Sequence, residues 1–377
     1  MPIDLSKIPS PCFVLEEELL RKNLTLIKSV SDRAGVEIIL AFKGFAMWSA
    51  FPILREYIQG ATASSLHEAR LCFEEMKTKA HAYQVAIAPD EIDELLEYSS
   101  VITFNSLSQF EKYKSKAIAK NISIGVRVNP EYSEVTTELY NPCSPNSRLG
   151  ISAEHFGDKL PDGIEGLHFH ALCENDSHTL EKTLEAFEKK FGHLLSQLKW
   201  VNLGGGHLMT KDGYDIEHLI RVLKKFKEKH NVHIIMEPGS AFAWRTGYLI
   251  STVLDIVENN GVKTIMPDIS FTAHMPDCLE MPYRPKVWGA TDPIEGKPTY
   301  RIGGTSCLSG DFMFEYSFEK EVEIGDKIVF DDMIHYTMVK TTTFNGVRHP
   351  SIGIWTKEND FKLVKKYGYE DYKNRLS

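Results

Sequence analysis

No apolar run in the 377-residue sequence approaches the length needed to cross a bilayer, and the first residues lack the basic start and apolar stretch of a signal peptide. The six cysteines (Cys12, Cys72, Cys143, Cys173, Cys278, Cys307) include no C-x-x-C pair, which argues against a zinc knuckle or a redox dithiol, and disulfides are not expected. There is no basic excess either: the net charge is −9, whereas a nucleic-acid binder normally shows a basic face. Repeats, linkers and low-complexity tracts are missing as well. Together these absences lead us to expect a cytoplasmic protein with neither a membrane nor a nucleic acid as partner.

What is present is ordinary globular composition, 42% hydrophobic and 25% charged, in a chain long enough for one large barrel plus an appendage. Eight short apolar runs, at residues 36–42, 58–62, 82–86, 101–105, 122–128, 164–170, 200–204 and 232–237, alternate with amphipathic segments such as 64–76, 91–98, 106–119, 179–199 and 216–230. Parallel strands buried on both faces read as such runs. Eight of them predict an α/β fold, a (β/α)₈ TIM barrel, over residues 15–247, with a doubly wound open sheet as the competing topology. Beyond 247 the long helical intervals stop. Short runs at 248–257, 263–269, 300–302, 321–330 and 336–343 predict a mainly antiparallel β domain over 248–377, to which residues 1–14 add a strand.

In a barrel the C-terminal strand ends form the active-site face. Lys43 closes the first run there. As an ordinary flank its stem would pack on apolar surface with the ammonium in water; as a desolvated amine it would attack carbonyls. On the same face fall His170, Asn202, the triple glycine Gly204, Gly205 and Gly206, and Glu237. Three glycines serve a tight turn or let backbone N–H groups approach a phosphate. An amine, a phosphate cradle and a carboxylate for a pyridine nitrogen are the parts that pyridoxal 5'-phosphate requires. A carboxylate there keeps the ring nitrogen protonated, which favours chemistry through a carbanion, such as decarboxylation. His168 and His170 share a strand face, and spacing alone leaves open a zinc pair with Cys173.

Lys43, His170, the three glycines and Glu-Pro-Gly at Glu237, followed by Cys-Leu-Ser-Gly-Asp at Cys307 to Asp311 and by Tyr336, resemble in order the fold-type III pyridoxal-phosphate decarboxylases, which include the ornithine and diaminopimelate enzymes. Ala-Phe-Lys-Gly-Phe-Ala-Met-Trp around Lys43, His-Ala-Leu-Cys-Glu-Asn from His170, Glu-Pro-Gly-Ser from Glu237 and Thr-Ala-His ending at His274 are most similar to the branch acting on carboxynorspermidine and carboxyspermidine.

That resemblance implies a head-to-tail homodimer with shared active sites and a polyamine-like substrate. Lys43 would bond the cofactor, Glu237 pair with its ring nitrogen, His170 stack on the ring, and the glycines with Tyr336 hold the phosphate. Arg127 and Arg148 match basic residues near the site. Cys307, a candidate proton donor, and Asp311, a contact for a substrate ammonium, would come from the other subunit.

Ser240 stands where ornithine and diaminopimelate enzymes carry arginine, which removes a bidentate partner for phosphate or a distal carboxylate and counts against a dicarboxylic substrate. Arg245 is a candidate for the missing charge; His274 and Asp277 are further candidates near a cationic tail. No resident metal is expected. The rivals are a racemase, which Glu237 disfavours, a non-catalytic cofactor-binding regulator, and a metal-dependent hydrolase using His168, His170 and Glu237.

Overall fold

A computed structural model describes residues 3–136, 140–144, 146–280 and 283–377. The chain divides into two compact units, Asn23–Phe242 and a second made of the residues up to Lys22 together with Ala243–Ser377. The first division falls inside the helix Glu17–Ala34.

Asn23–Phe242 is a closed parallel barrel. Its first strand comes in two halves, Glu37–Ile38 and Leu40–Ala41; the first half pairs with His233–Met236 and the second with Ala61–Ala63. At the break, Ile39 N–H still donates to the Met236 carbonyl at 2.9 Å. The remaining strands, Ala80–Gln84, Ser99–Phe104, Ser123–Arg127, Gly166–His168 and Trp200–Asn202, complete the ring in sequence order. The third strand runs over Ala80–Gln84 where the sequence predicts 82–86.

The barrel helices start where side chains can cap them. Ser106 accepts from Gln109 N–H, Asp176 from Thr179 N–H and Asp215 from His218 N–H, each satisfying an otherwise orphaned donor. Ile216–His230 then buries Leu219, Ile220, Val222, Leu223 and Phe226 as one apolar stripe.

In the second unit, Cys12–Glu16 is a central strand, buried along its whole length, antiparallel to Gly247–Asn259 and parallel to Ser351–Trp355. Around it lie Val262–Pro267, Thr299–Gly303, Phe312–Phe318, Ala290–Thr291, Lys327–Asp331 and Phe361–Lys365, paired mostly antiparallel. Cys12, Val14, Tyr248, Ile250, Val329 and Trp355 form a core there. One expectation fails: the stretch 336–343 is not a strand but begins with the short helix Tyr336–Val339, in which Thr337 is buried and Val339 exposed.

Candidate active site in the barrel

The ends of the first and last barrel strands are stitched together. Ala41 N–H donates to the Pro238 carbonyl at 3.0 Å, and a Cβ on Gly44 would lie 2.7 Å from the Gly239 Cα. Only two glycines allow that approach, and it brings the turn carrying Lys43 against the one carrying Glu237.

Lys43 is open to solvent. The protein packed around it nevertheless strips enough water to push its pKa below the ordinary lysine range. Repulsion by the Arg127 guanidinium adds to this, against the pull of Glu237 and Glu68.

Glu237 is buried, with 8% of its surface exposed. Its Oε1 accepts from Asn202 Nδ2 at 2.6 Å, while His168 Nε2 stands 3.6 Å from Oε2, beyond hydrogen-bond range. Burial works to raise its pKa; the contacts with His168 and Asn202 and the field of His81 overcome it and hold it at about 2. Burial lowers the pKa of His168 against the pull of Glu237, and neither of its ring nitrogens has a hydrogen-bond partner.

His170 Nδ1 accepts the Gly205 N–H at 2.8 Å, so this nitrogen carries a lone pair and the other the proton. Burial, then Lys43 and Arg127, drive its pKa well below the usual histidine value. The ring is neutral.

Two of the three glycine amides are engaged within the protein. Gly204 N–H donates to Asn202 Oδ1 at 2.9 Å and Gly205 N–H to His170 Nδ1, so both already position site residues. Gly204 and Gly206 have positive φ, 67° and 85°, and a Cβ on Gly205 would lie 2.4 Å from the Glu237 carbonyl oxygen.

Arg127 is buried and engaged: Nη1 donates to Tyr83 Oη at 3.0 Å and Nη2 to the His170 carbonyl at 3.3 Å. Tyr83 Oη in turn donates to Asn105 Oδ1 at 2.8 Å, and Asn105 also takes the Gly150 N–H and gives to the Arg148 carbonyl. Arg127 therefore acts as a scaffold and a source of field. Arg148 contributes its backbone to this network and leaves its side chain exposed. Tyr83 and Asn105 were not foreseen. The signal for Tyr83 was the alternation of His81 and Tyr83 with alanines, a polar stripe along one strand face.

His168, His170 and Glu237 do not converge as a metal-ligand group among the described residues.

In the sheet unit the remaining candidates have varied surroundings. Cys307 is exposed, its N–H donating to Asn345 Oδ1 at 2.6 Å. Asp311 is buried and each carboxylate oxygen accepts a backbone N–H, from Thr272 and from Ser306, both at 3.1 Å. Asp277 Oδ2 accepts from Tyr283 and Thr337 hydroxyls, and its Oδ1 is buried without a partner. Tyr336 opens its short helix with its ring edge-on to His335. His274 is fully buried, its Nδ1 accepting the Ser270 N–H at 3.1 Å and burial pushing its pKa to about 3, so in this chain it is a core histidine and not a group at a substrate mouth. Ser240, two residues before the end of the barrel unit, begins the helix Ser240–Ala243; Arg245 is exposed, and its backbone N–H donates to Asp332.

A parallel barrel with an amine after its first strand and a buried carboxylate after its last, carried with a mostly antiparallel sheet, is the arrangement of a barrel-type pyridoxal-phosphate enzyme. Within that class the chain belongs to the pyridoxal-dependent decarboxylases, since residues 30–334 match the family described as "Pyridoxal-dependent decarboxylase, C-terminal sheet domain". It is 52% identical to the carboxyaminopropylagmatine decarboxylase of Synechocystis sp., over 99% of this chain and 96% of that protein. It is 46% identical to the carboxynorspermidine/carboxyspermidine decarboxylase of Campylobacter jejuni, over 98% of this chain and 99% of the relative. The crystal structure of carboxynorspermidine decarboxylase with norspermidine, from the same organism, superposes with a TM-score of 0.92 at 44% identity, covering 98% of this chain and 100% of that one. The chain is thus a carboxy-lyase whose cofactor is pyridoxal phosphate.

Proposed function

We propose that this enzyme decarboxylates carboxynorspermidine or carboxyspermidine, releasing norspermidine or spermidine, as a cytoplasmic homodimer. The observation that supports it best is Glu237, a carboxylate kept ionised in a buried pocket against the turn that bears Lys43.

The residues present fit the cofactor. When bound, pyridoxal phosphate supplies an electron sink for the pair left as carbon dioxide departs. Lys43 is the residue to hold it covalently, and its lowered pKa keeps more of the amine unprotonated. Glu237 favours a proton on a ring nitrogen set against it. His170 offers a neutral face for stacking, locked in one tautomer by Gly205. Gly206, Tyr336 and the field of Arg127 are the candidates for holding the phosphate. Cys307, exposed within one protomer, fits a proton donor to a neighbouring subunit's site, with Asp311 ordering the loop that carries it.

The substrate branch rests on near full-length identity to the Campylobacter relative and on Ser240 in place of the arginine that would meet a second carboxylate. A second reading follows from the Synechocystis relative, whose named substrate carries an agmatine tail ending in a guanidinium in place of an ammonium. The test is carbon dioxide and amine release from carboxynorspermidine, carboxyspermidine, carboxyaminopropylagmatine, diaminopimelate and ornithine, with Lys43→Ala as control. Triamine release that disappears in Lys43→Ala supports the proposal; preference for the agmatine-tailed substrate selects the second reading; turnover of diaminopimelate or ornithine alone rejects both.

A further inference from the structure

Two neighbouring barrel helices, Ser177–Phe191 and Ile216–His230, bring imidazoles together at their first turns. The rings of His178 and His218 stack with centroids 4.1 Å apart and planes at 23°. Glu181 lies one turn beyond His178 on the same helix face, and its Oε2 is 3.1 Å from His218 Nε2. One ligand atom from each of the three residues falls within 4.8 Å of the others, the one such group of three His, Cys, Asp or Glu among the described residues. Decarboxylation uses none of them.

A hydrogen bond between His218 and Glu181 accounts for two of these residues and leaves the stacked third unexplained. The neighbour on the other side of the His218 ring adds to the case. Fully buried Ser177 places its Oγ 3.0 Å from His218 Nδ1. When the Nδ1 proton is directed to that hydroxyl, Nε2 presents its lone pair beside a carboxylate oxygen and both are free to ligate a cation; a second nitrogen held by a hydrogen bond in this way is how ligating histidines are usually oriented. Metal bonds of about 2.1 Å in tetrahedral geometry set two ligand atoms roughly 3.4 Å apart. The observed 3.1 Å between His218 and Glu181 is close to this, and the His178 ligand atom lies within 4.8 Å of both. Helix N-termini repel cations, but Asp176 and Asp215 cap these two helices and Glu217 lies in the first turn of one, so the local field is offset.

We propose that His178, Glu181 and His218 form a binding site for a divalent ion of the zinc class, with water completing the coordination shell. Two imidazoles and one carboxylate suit zinc, nickel, cobalt or copper and not the all-oxygen preference of magnesium or calcium. The ion clamps the starts of two helices. In the chain these follow the segments 170–175 and 204–207, which are themselves joined by the Asn175–His207 bridge, so occupancy stiffens the rim that holds His170 and the glycines.

The experiment is calorimetric titration of zinc into untagged, cofactor-loaded enzyme and into His178→Ala, His218→Ala and Glu181→Gln. His178 is exposed, so its replacement leaves the core intact, and decarboxylase activity checks that the variant is folded. We expect one equivalent bound by the wild type, weakened by more than about tenfold in either histidine variant, and a zinc-dependent rise in unfolding midpoint that His178→Ala lacks. Absence of saturable binding to the wild type, or binding of one equivalent that survives both histidine substitutions, overturns the proposal.

Discussion

Replacing Glu237 by glutamine removes a charge while keeping the shape. The carboxyl sits at a pKa of about 2 where 4.5 is ordinary, because its polar contacts outweigh the burial that would raise it. That difference, at about 1.4 kcal/mol for each pH unit, means the pocket prefers the ionised over the neutral form by about 3 kcal/mol. Since the folded pKa is depressed, the stabilisation is fully present above the unfolded value near 4.5 and is lost as pH falls through about 2. Glutamine imitates the neutral form. At pH 7 the cofactor-free variant should therefore unfold in urea more easily than the parent, by on the order of 3 kcal/mol, and the gap should shrink as pH falls toward 3. Loss of the charge facing the cofactor ring should also lower decarboxylation about 100-fold or more, in line with the removal of other preorganised electrostatic partners. Equal urea midpoints at pH 7, or a gap that widens in acid, would refute the claim that this pocket is built for a carboxylate.

Three further substitutions probe the surroundings. Tyr83→Phe leaves Arg127 Nη1 and Asn105 Oδ1 each short of a partner and should cost about 1–3 kcal/mol in chemical denaturation; an unchanged midpoint means the network is dispensable. Gly205→Ala drives a methyl into the Glu237 carbonyl and should destabilise by about 1–3 kcal/mol while weakening cofactor retention, followed by absorbance after dialysis. Cys307→Ala, at an exposed position, should leave thermal stability alone but reduce turnover about 100-fold, and full activity would remove the thiol from the chemistry.

The barrel was readable because strands covered on both faces must be apolar throughout, and each of the eight runs contains or overlaps a strand. Its strand-end residues were readable for the same reason: a lysine or glutamate closing such a run has few structural excuses. Phe312–Phe318 was not seen, because its outward positions carry Phe312 and Phe314, 43% and 37% exposed, which hides the polar alternation of a sheet strand. The run 336–343, rich in threonine and valine, has strand propensity, yet its first residues form a helical turn that buries Thr337. At the site, sequence left the glycines with two readings, a tight turn or an anion cradle. The amides of Gly204 and Gly205 turn out to be directed at Asn202 and His170, a use set by backbone geometry that no composition reveals. Asn105, an unremarkable residue after a strand, became informative only through the tyrosine and arginine it connects.

The strand Cys12–Glu16 has one neighbour in Gly247–Asn259 and the other in Ser351–Trp355, so the sheet unit is assembled from both ends of the chain around an inserted barrel. In synthesis that strand precedes the barrel, one of its partners follows the barrel directly, and the other comes about a hundred residues later. Barrel closure needs only residues up to Met236; Phe13, Val14 and Leu15 then gain Gly247–Asn259 on one side, while their other edge stays open until Ser351–Trp355 has emerged. The vulnerable moment in biosynthesis is therefore the interval between the two closures, when the nascent chain carries a finished barrel and a sticky amino-terminal ribbon. Truncation just before Ser351 would make that interval permanent.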